Sequence, residues 1–249
     1  TGETFREFLY HSWQDSQILL DKAVQTQLQW KSSSIDSRIA LVQNAMDYFK
    51  ANEDTIARDI TLQMGKPIQQ SKKEVKGMIH RAEVCCSLAK DALKDIPLPG
   101  MDGLQRLIKR EPLGVVLDIA AWNYPLLIAV NVIVPAILAG NAVIIKHSSL
   151  TPLCSINFED AFRHASAPDG LVTALITDHR TTEKVIQSGL IHHVSFTGSV
   201  SSGRKIQEST KGQFIDVGLE LGGKDPAYIR EDADIQRVVP SIMDGVFYN

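Results

Sequence analysis

The 249-residue sequence predicts an α/β fold: a parallel β-sheet covered by helices, preceded by a helical segment. Three observations carry this. Short β-branched apolar runs recur from Gly114 onward, and each is followed by a stretch with helical spacing. Before Gly114 the apolar residues repeat at helical intervals instead. Polar and glycine residues gather just after the apolar runs, which a parallel sheet brings to one edge. Strands alternating with helices at these lengths join through right-handed crossovers.

Residues 16 to 95 read as helices. Val42, Met46 and Phe49 make an apolar stripe, and Asn52 is placed to cap a second helix carrying Ile56, Ile60 and Met64. Gly65-Lys66-Pro67 stops it. Val75, Ile79, Ala82, Cys86, Ala89 and Leu93 mark a third helix, with Cys86 on its apolar face and Cys85 beside it. No base or positive charge is placed to make a thiolate of either, so both read as core cysteines. Ile96-Pro97-Leu98-Pro99-Gly100 ends this part, and Gln105 to Arg110 alternates as a partly exposed strand.

Gly114 to Ala120 is the first buried strand, and a helix follows from Pro125 with Gly140 beyond its end. Ala142 to Lys146 is the next strand, with a helix opening near Thr151-Pro152. Leu171 to Ile176 and Val194 to Phe196 are further strands, separated by a short helix from Thr181 to Gln187. Phe214 to Glu220 is the fifth, and Asp232 or Asp234 starts a last helix carrying Val238, Ile242 and Val246. Ile119 to Ile145 contains no charge and is long enough to span a bilayer. Its Asn-Tyr-Pro and Gly-Asn turns divide it into strand end, buried helix and strand, so no membrane span is expected.

Charged residues at 22% and hydrophobic residues at 44% are ordinary for a soluble globular chain. A net charge of -3 without a Lys/Arg block argues against nucleic-acid binding. Three cysteines form neither a disulfide framework nor a metal-type spacing, and no leader is visible; a reducing, cytoplasmic setting is expected.

Chemistry is expected at the strand ends: Trp122-Asn123, Lys146, Thr177-Asp178, Gly198-Ser199, and Glu220 with Gly222-Gly223. Phe196-Thr197-Gly198-Ser199 leads from a strand into a helix, whose first N–H groups and dipole suit a pyrophosphate. The G-x-G-x-x-G dinucleotide fingerprint is absent.

These strand ends, in this order, resemble the aldehyde dehydrogenase superfamily. The matching pieces are Glu111 to Val116, Trp122-Asn123-Tyr124-Pro125, Pro135-Ala136 with Ala139-Gly140-Asn141, Lys146, Phe196 to Ser199 with Gly203-Arg204, and Leu219 to Pro226. The resemblance runs from about residue 16 to the last residue. It implies a Rossmann-like sheet and NAD(P)-dependent oxidation of an aldehyde to a carboxylic acid, through a cysteine thiohemiacetal and thioester. Asn123 then matches an oxyanion-stabilising amide and Glu220 the general base for thioester hydrolysis. Lys146 matches a ribose-binding lysine, and Trp122 lies beside the cofactor. Ser199 and the backbone after it match pyrophosphate contacts, Gly222 and Gly223 allow close backbone approach near the nicotinamide, and Gly198, Ser202 and Leu221 are further cofactor-binding positions. A homodimer or homotetramer is implied for the complete protein, with no metal, nucleic acid or membrane.

On this resemblance the domain organisation is a helical segment at 1–100, a short strand region at 101–113 and Rossmann-like units at 114–249, with the last helix cut and the catalytic domain absent. The family's nucleophilic cysteine lies past Phe247-Tyr248-Asn249; Cys85, Cys86 and Cys154 do not match it. The chain alone is therefore expected to be inactive, or, in the alternative, a truncated pseudoenzyme that binds nucleotide or a partner.

The sequence departs from the family in three places. Ser149 replaces the acidic residue that holds the ribose diol and repels a 2′-phosphate, so NADP should bind at least as tightly as NAD. His147 reads either as a helper of that phosphate or as an exposed histidine without a role. Thr177 stands where glycine is usual and is placed to crowd the adenine pocket. Asp118, with Ala121, weakens any subfamily assignment.

Overall fold

Capping and apolar spacing account for the helices that precede the sheet. In the computed structural model, which describes residues 3–249, α1 (Trp13–Trp30) opens at a reciprocal cap. Ser12 Oγ accepts from the Asp15 N–H, and the Asp15 carboxylate accepts from the Ser12 N–H. α2 (Ile35–Ala51) buries the expected Val42, Met46 and Phe49. Asn52 does not cap the following helix: its amide donates to the Tyr48 carbonyl, 2.8 Å, and closes α2 instead. α3 (Glu53–Met64) stops at Gly65, whose φ of 86° is left-handed. α4 (Ile68–Ala92) buries Val75, Ile79, Ala82, Cys86 and Ala89 along one face.

β1 (Ile96–Pro97) and β2 (Leu107–Ile108) form a two-residue antiparallel pair, where the sequence predicts a helix stop and a longer strand. Pro97 and Pro99 lack N–H groups, so the ladder cannot lengthen. The remaining elements are β3 (Val115–Ala120), α5 (Pro125–Leu138), β4 (Ala142–His147), α6 (Pro152–His164), β5 (Val172–Ala174), α7 (His179–Gln187), β6 (His193–Gly198), α8 (Val200–Ser209), β7 (Asp216–Leu221) and α9 (Ile235–Phe247). The uncharged run thus becomes strand, helix and strand; no helix among the described residues is long and apolar enough to cross a membrane.

β5 is shorter than the expected Leu171 to Ile176. Past it, Ile176 is taken by an N-terminal strap: its carbonyl accepts from the His11 N–H, 2.8 Å, and its N–H donates to His11 Nδ1, 3.2 Å.

The strand order is β5-β4-β3-β6-β7, all parallel. The chain lays down β3, moves outward through β4 and β5, then returns to the other side of β3 for β6 and β7. That reversal leaves a crevice at the carboxyl ends of β3 and β6. α5 and α6 touch β3, β4 and β5, α1 touches the same three strands and α7, and α8 touches β6 and β7.

The N-terminal helices also donate hydrogen bonds to the end of α5. Trp30 Nε1 donates to the Ile137 carbonyl (3.1 Å), Arg38 Nη1 to that of Leu138 (3.0 Å) and Gln27 Nε2 to that of Gly140 (3.1 Å). These are carbonyls at and just past the end of α5, which helix geometry leaves without intrahelical partners.

Candidate active site

The carboxyl ends of β3, β4, β6 and β7 open into one cleft of about 1010 Å³. Trp122 and Asn123 reach it after β3, Lys146 and Ser149 at and after β4, Gly198, Ser199 and Ser202 after β6, and Glu220, Leu221 and Gly222 at β7. The ten residues given catalytic or cofactor roles therefore line the same space, whereas Thr177, Asp178 and Gly223, also expected at the strand ends, do not. The walls also include His179, Arg180, Thr182 and Glu183 on α7 and Lys205 and Ile206 on α8. Sequence reading missed these. They lie on helix faces, and only the approach of α7 to α8 brings them to the cleft.

Ser199 is the N-cap of α8: its Oγ accepts from the Ser202 N–H, 3.1 Å, and its carbonyl accepts from the Gly203 N–H, 2.9 Å. One expected free N–H is therefore already taken, and helix geometry leaves those of Val200 and Ser201 for an anion. A Cβ at Gly203 would meet Leu221 Cδ2 at 2.6 Å. Any larger residue there would require the Leu221 side chain to move.

Lys146 is 6% exposed, and burial lowers its pKa, opposed by the Asp178 carboxylate. Asp178 is itself the N-cap of α7, accepting from the Thr181 N–H at 2.7 Å. His147 is not exposed: it is 4% accessible, its Nδ1 lies 3.5 Å from Thr151 Oγ1, and its Nε2 has no partner. Burial, and then the Lys146 charge, push its pKa down to about 3. The expectation of an exposed histidine therefore fails, and a neutral imidazole would bring no charge to a phosphate. Thr177 turns away from the cleft, its Oγ1 donating to the His11 carbonyl at 3.1 Å, and does not crowd it.

Trp122 is 47% exposed and walls the cleft rather than filling the core. Asn123 is exposed, and its carbonyl accepts from Asn249 Nδ2 at 2.9 Å. Glu220 is exposed on β7, in register with Thr197 of β6. None of the three cysteines lines the cleft. Burial pushes the Cys86 thiol up to about 11, raises that of Cys85, and raises that of Cys154 well above the usual range. They are core residues, not nucleophiles.

The aldehyde dehydrogenase family model matches residues 1–249. The chain belongs to the aldehyde dehydrogenase family. It is 34% identical over 228 residues to betaine aldehyde dehydrogenase of Agrobacterium fabrum, covering 91% of this chain and 46% of the relative. It is 32% identical over 228 residues, with the same coverage, to 3,6-anhydro-alpha-L-galactose dehydrogenase of Streptomyces coelicolor. The structure of succinic semialdehyde dehydrogenase from Streptococcus pyogenes, in complex with NADP+, superposes with a TM-score of 0.88 at 26% identity, covering 94% of this chain and 51% of that one. The chain spans about half the length of the curated relatives it matches.

Proposed function

We propose that the complete protein oxidises an aldehyde to its carboxylic acid with NAD or NADP, and that this chain holds the cofactor and two catalytic side chains. The observation that carries the reading is convergence: residues from four strand ends meet the start of α8 in one cleft. The residues fit a dinucleotide. The cleft volume suits one, α8 offers N–H groups beside Ser199, and glycine at 203 keeps α8 close against the strand end.

Ser199, Ser202 and the N–H groups of Val200 and Ser201 would hold the pyrophosphate, with Gly198 beside them. Lys146 and Ser149 would hold the adenosine ribose, and Trp122, Leu221 and Gly222 the nicotinamide end. When bound, the nicotinamide accepts a hydride. Asn123 donates its amide N–H to the substrate oxygen as negative charge develops there. Glu220, as carboxylate, takes a proton from the water that hydrolyses the thioester. The nucleophile is a cysteine outside these 249 residues, since none within them reaches the cleft. The complete protein is a homodimer or homotetramer in a reducing, cytoplasmic setting.

Ser149 places no carboxylate at the ribose to repel a 2′-phosphate. NADP therefore binds at least as tightly as NAD. Calorimetric titration of the complete protein with both cofactors tests this; NAD binding tenfold more tightly than NADP would overturn it. The 249-residue polypeptide alone produces no aldehyde-dependent NAD(P)H, and turnover by it would place the nucleophile within this chain after all.

A further inference from the structure

Glu74, on α4, uses both carboxylate oxygens inside the fold. Oε1 accepts from the N–H of Leu126 at 2.9 Å and of Leu127 at 3.3 Å, in the first turn of α5. Oε2 pairs with the Lys66 ammonium, and each side chain is 1% exposed. Tyr124, the N-cap of α5, makes no side-chain capping bond, and Pro125 has no N–H to satisfy. Glu74 is therefore the cap of α5, supplied from another helix, and its charge complements the positive end of that helix. Lys66 Nζ stands 4.0 Å from the centroid of the Tyr124 ring. Lys66 is itself set by its neighbours, Gly65 at a φ of 86° and Pro67 at −55°.

The pair thus grips residues 124, 126 and 127, immediately after Asn123. Neither Lys66 nor Glu74 lines the cleft. A buried ion pair is a poor device for stability alone, because apolar side chains of similar volume commonly do as well or better. Its placement has a more specific consequence. Asn123 is exposed in the loop between β3 and α5, and an oxyanion donor works only when held at its angle before the charge develops.

We infer that Lys66 and Glu74 are positioning residues for Asn123, fixing the start of α5 so that the Asn123 amide is presented to the substrate oxygen. This rests on the reading of Asn123 as the oxyanion donor. Both residues act at a distance from the chemistry, through the backbone of residues 124–127.

The test is a double-mutant cycle in the complete protein, with kcat, KM and cofactor Kd measured for each variant. Asn123→Ala is expected to lower kcat by roughly 10²- to 10³-fold. Glu74→Gln, which keeps an acceptor but removes the charge, is expected to lower kcat roughly tenfold or more, with cofactor Kd within about twofold. Added to Asn123→Ala, Glu74→Gln is expected to cause almost no further loss, because its effect runs through the missing amide. Losses that multiply in the double variant would overturn the positioning role while leaving the oxyanion reading intact. Unchanged kcat in Asn123→Ala alone would remove the oxyanion reading, and the inference with it. Lys66→Met, carried through the same cycle, decides the question if Glu74→Gln does not fold.

Discussion

β3 and β4 are buried at all six positions, whereas β7 exposes Asp216, Gly218 and Glu220 on one face and half-covers its other three residues. Helices account for the difference. α5, α6 and α1 pack on β3 and β4, whereas α8 is the helix that packs on β7. α9 does not cover the open face and buries none of its own residues. Cohesion is concentrated in one half of the sheet, while Glu220 projects from the other.

The largest effect expected from the division is in the covered half. Phe158 on α6 is fully buried with its ring centroid 5.1 Å from that of Phe49 on α2, tying the N-terminal helices to those of the sheet. Phe158→Ala should cost about 3 to 5 kcal/mol, from lost transfer energy plus the cavity left behind. Urea unfolding measures it, and a loss under about 1 kcal/mol would mean that the two layers are not joined there.

The covered half also contains buried titratable groups, and these make stability depend on pH. His147 has a folded pKa of about 3, below its ordinary value of about 6.5, so the unfolded chain binds the proton more readily. Its contribution is present above about pH 6.5 and is lost as pH falls, reaching about 2 kcal/mol by pH 5. Asp118, buried in β3 with Oδ2 unpartnered, has its pKa raised well above the usual carboxylate range by burial. Its sign is opposite: the stability tied to its protonated form is present at low pH and is lost as pH rises past the unfolded value. His147→Gln should flatten the acid limb between pH 7 and 5, and Asp118→Asn should gain on the parent as pH rises from 4 to 8. Unfolding free energies across that range check both; parallel profiles for parent and variants would remove these groups as the source.

The same division governs what could be read from sequence. The strand pattern, the α4 stripe and the strand-end residues Trp122, Asn123, Lys146, Gly198, Ser199, Glu220 and Gly222 were legible because β-branched runs, helical spacing and strand-end polarity are local signals, whereas Ser149, Ser202 and Leu221 were reached only through the family resemblance. Asn52, His147 and Thr177 were misread for one reason. Each is polar, each is placed by a partner, and the partners of Thr177 come from the far N-terminal strap. Glu74 was invisible as a cap because its helix and α5 meet only in three dimensions. Likewise, β1 was hidden by Pro97 and the nearby Pro99, which read as a stop.

A smaller effect is expected where the two halves meet. Ser149 follows β4 and lines the cleft opposite residues from β6 and β7. Ser149→Glu should weaken NADP relative to NAD by about tenfold, roughly 1.4 kcal/mol, because a carboxylate would face the 2′-phosphate. Stability should hardly change at this solvent-facing loop. Competition titrations in the complete protein report the ratio, and an unchanged ratio would place the phosphate elsewhere.

The smallest effect belongs to the open half. Phe214, just before β7, is fully exposed, at 108% of its reference accessibility. A side chain that buries nothing contributes no transfer energy, so Phe214→Ser should shift stability by no more than about 0.5 kcal/mol. The comparison with Phe158 is then direct: the same residue type, one fully buried and one fully exposed, differing by several kcal/mol on truncation. A loss above about 1 kcal/mol at Phe214 would show that the β7 side is covered in solution. Repeating the unfolding at several protein concentrations identifies the cover, because stabilisation by a second copy rises with concentration while a contact within the chain does not.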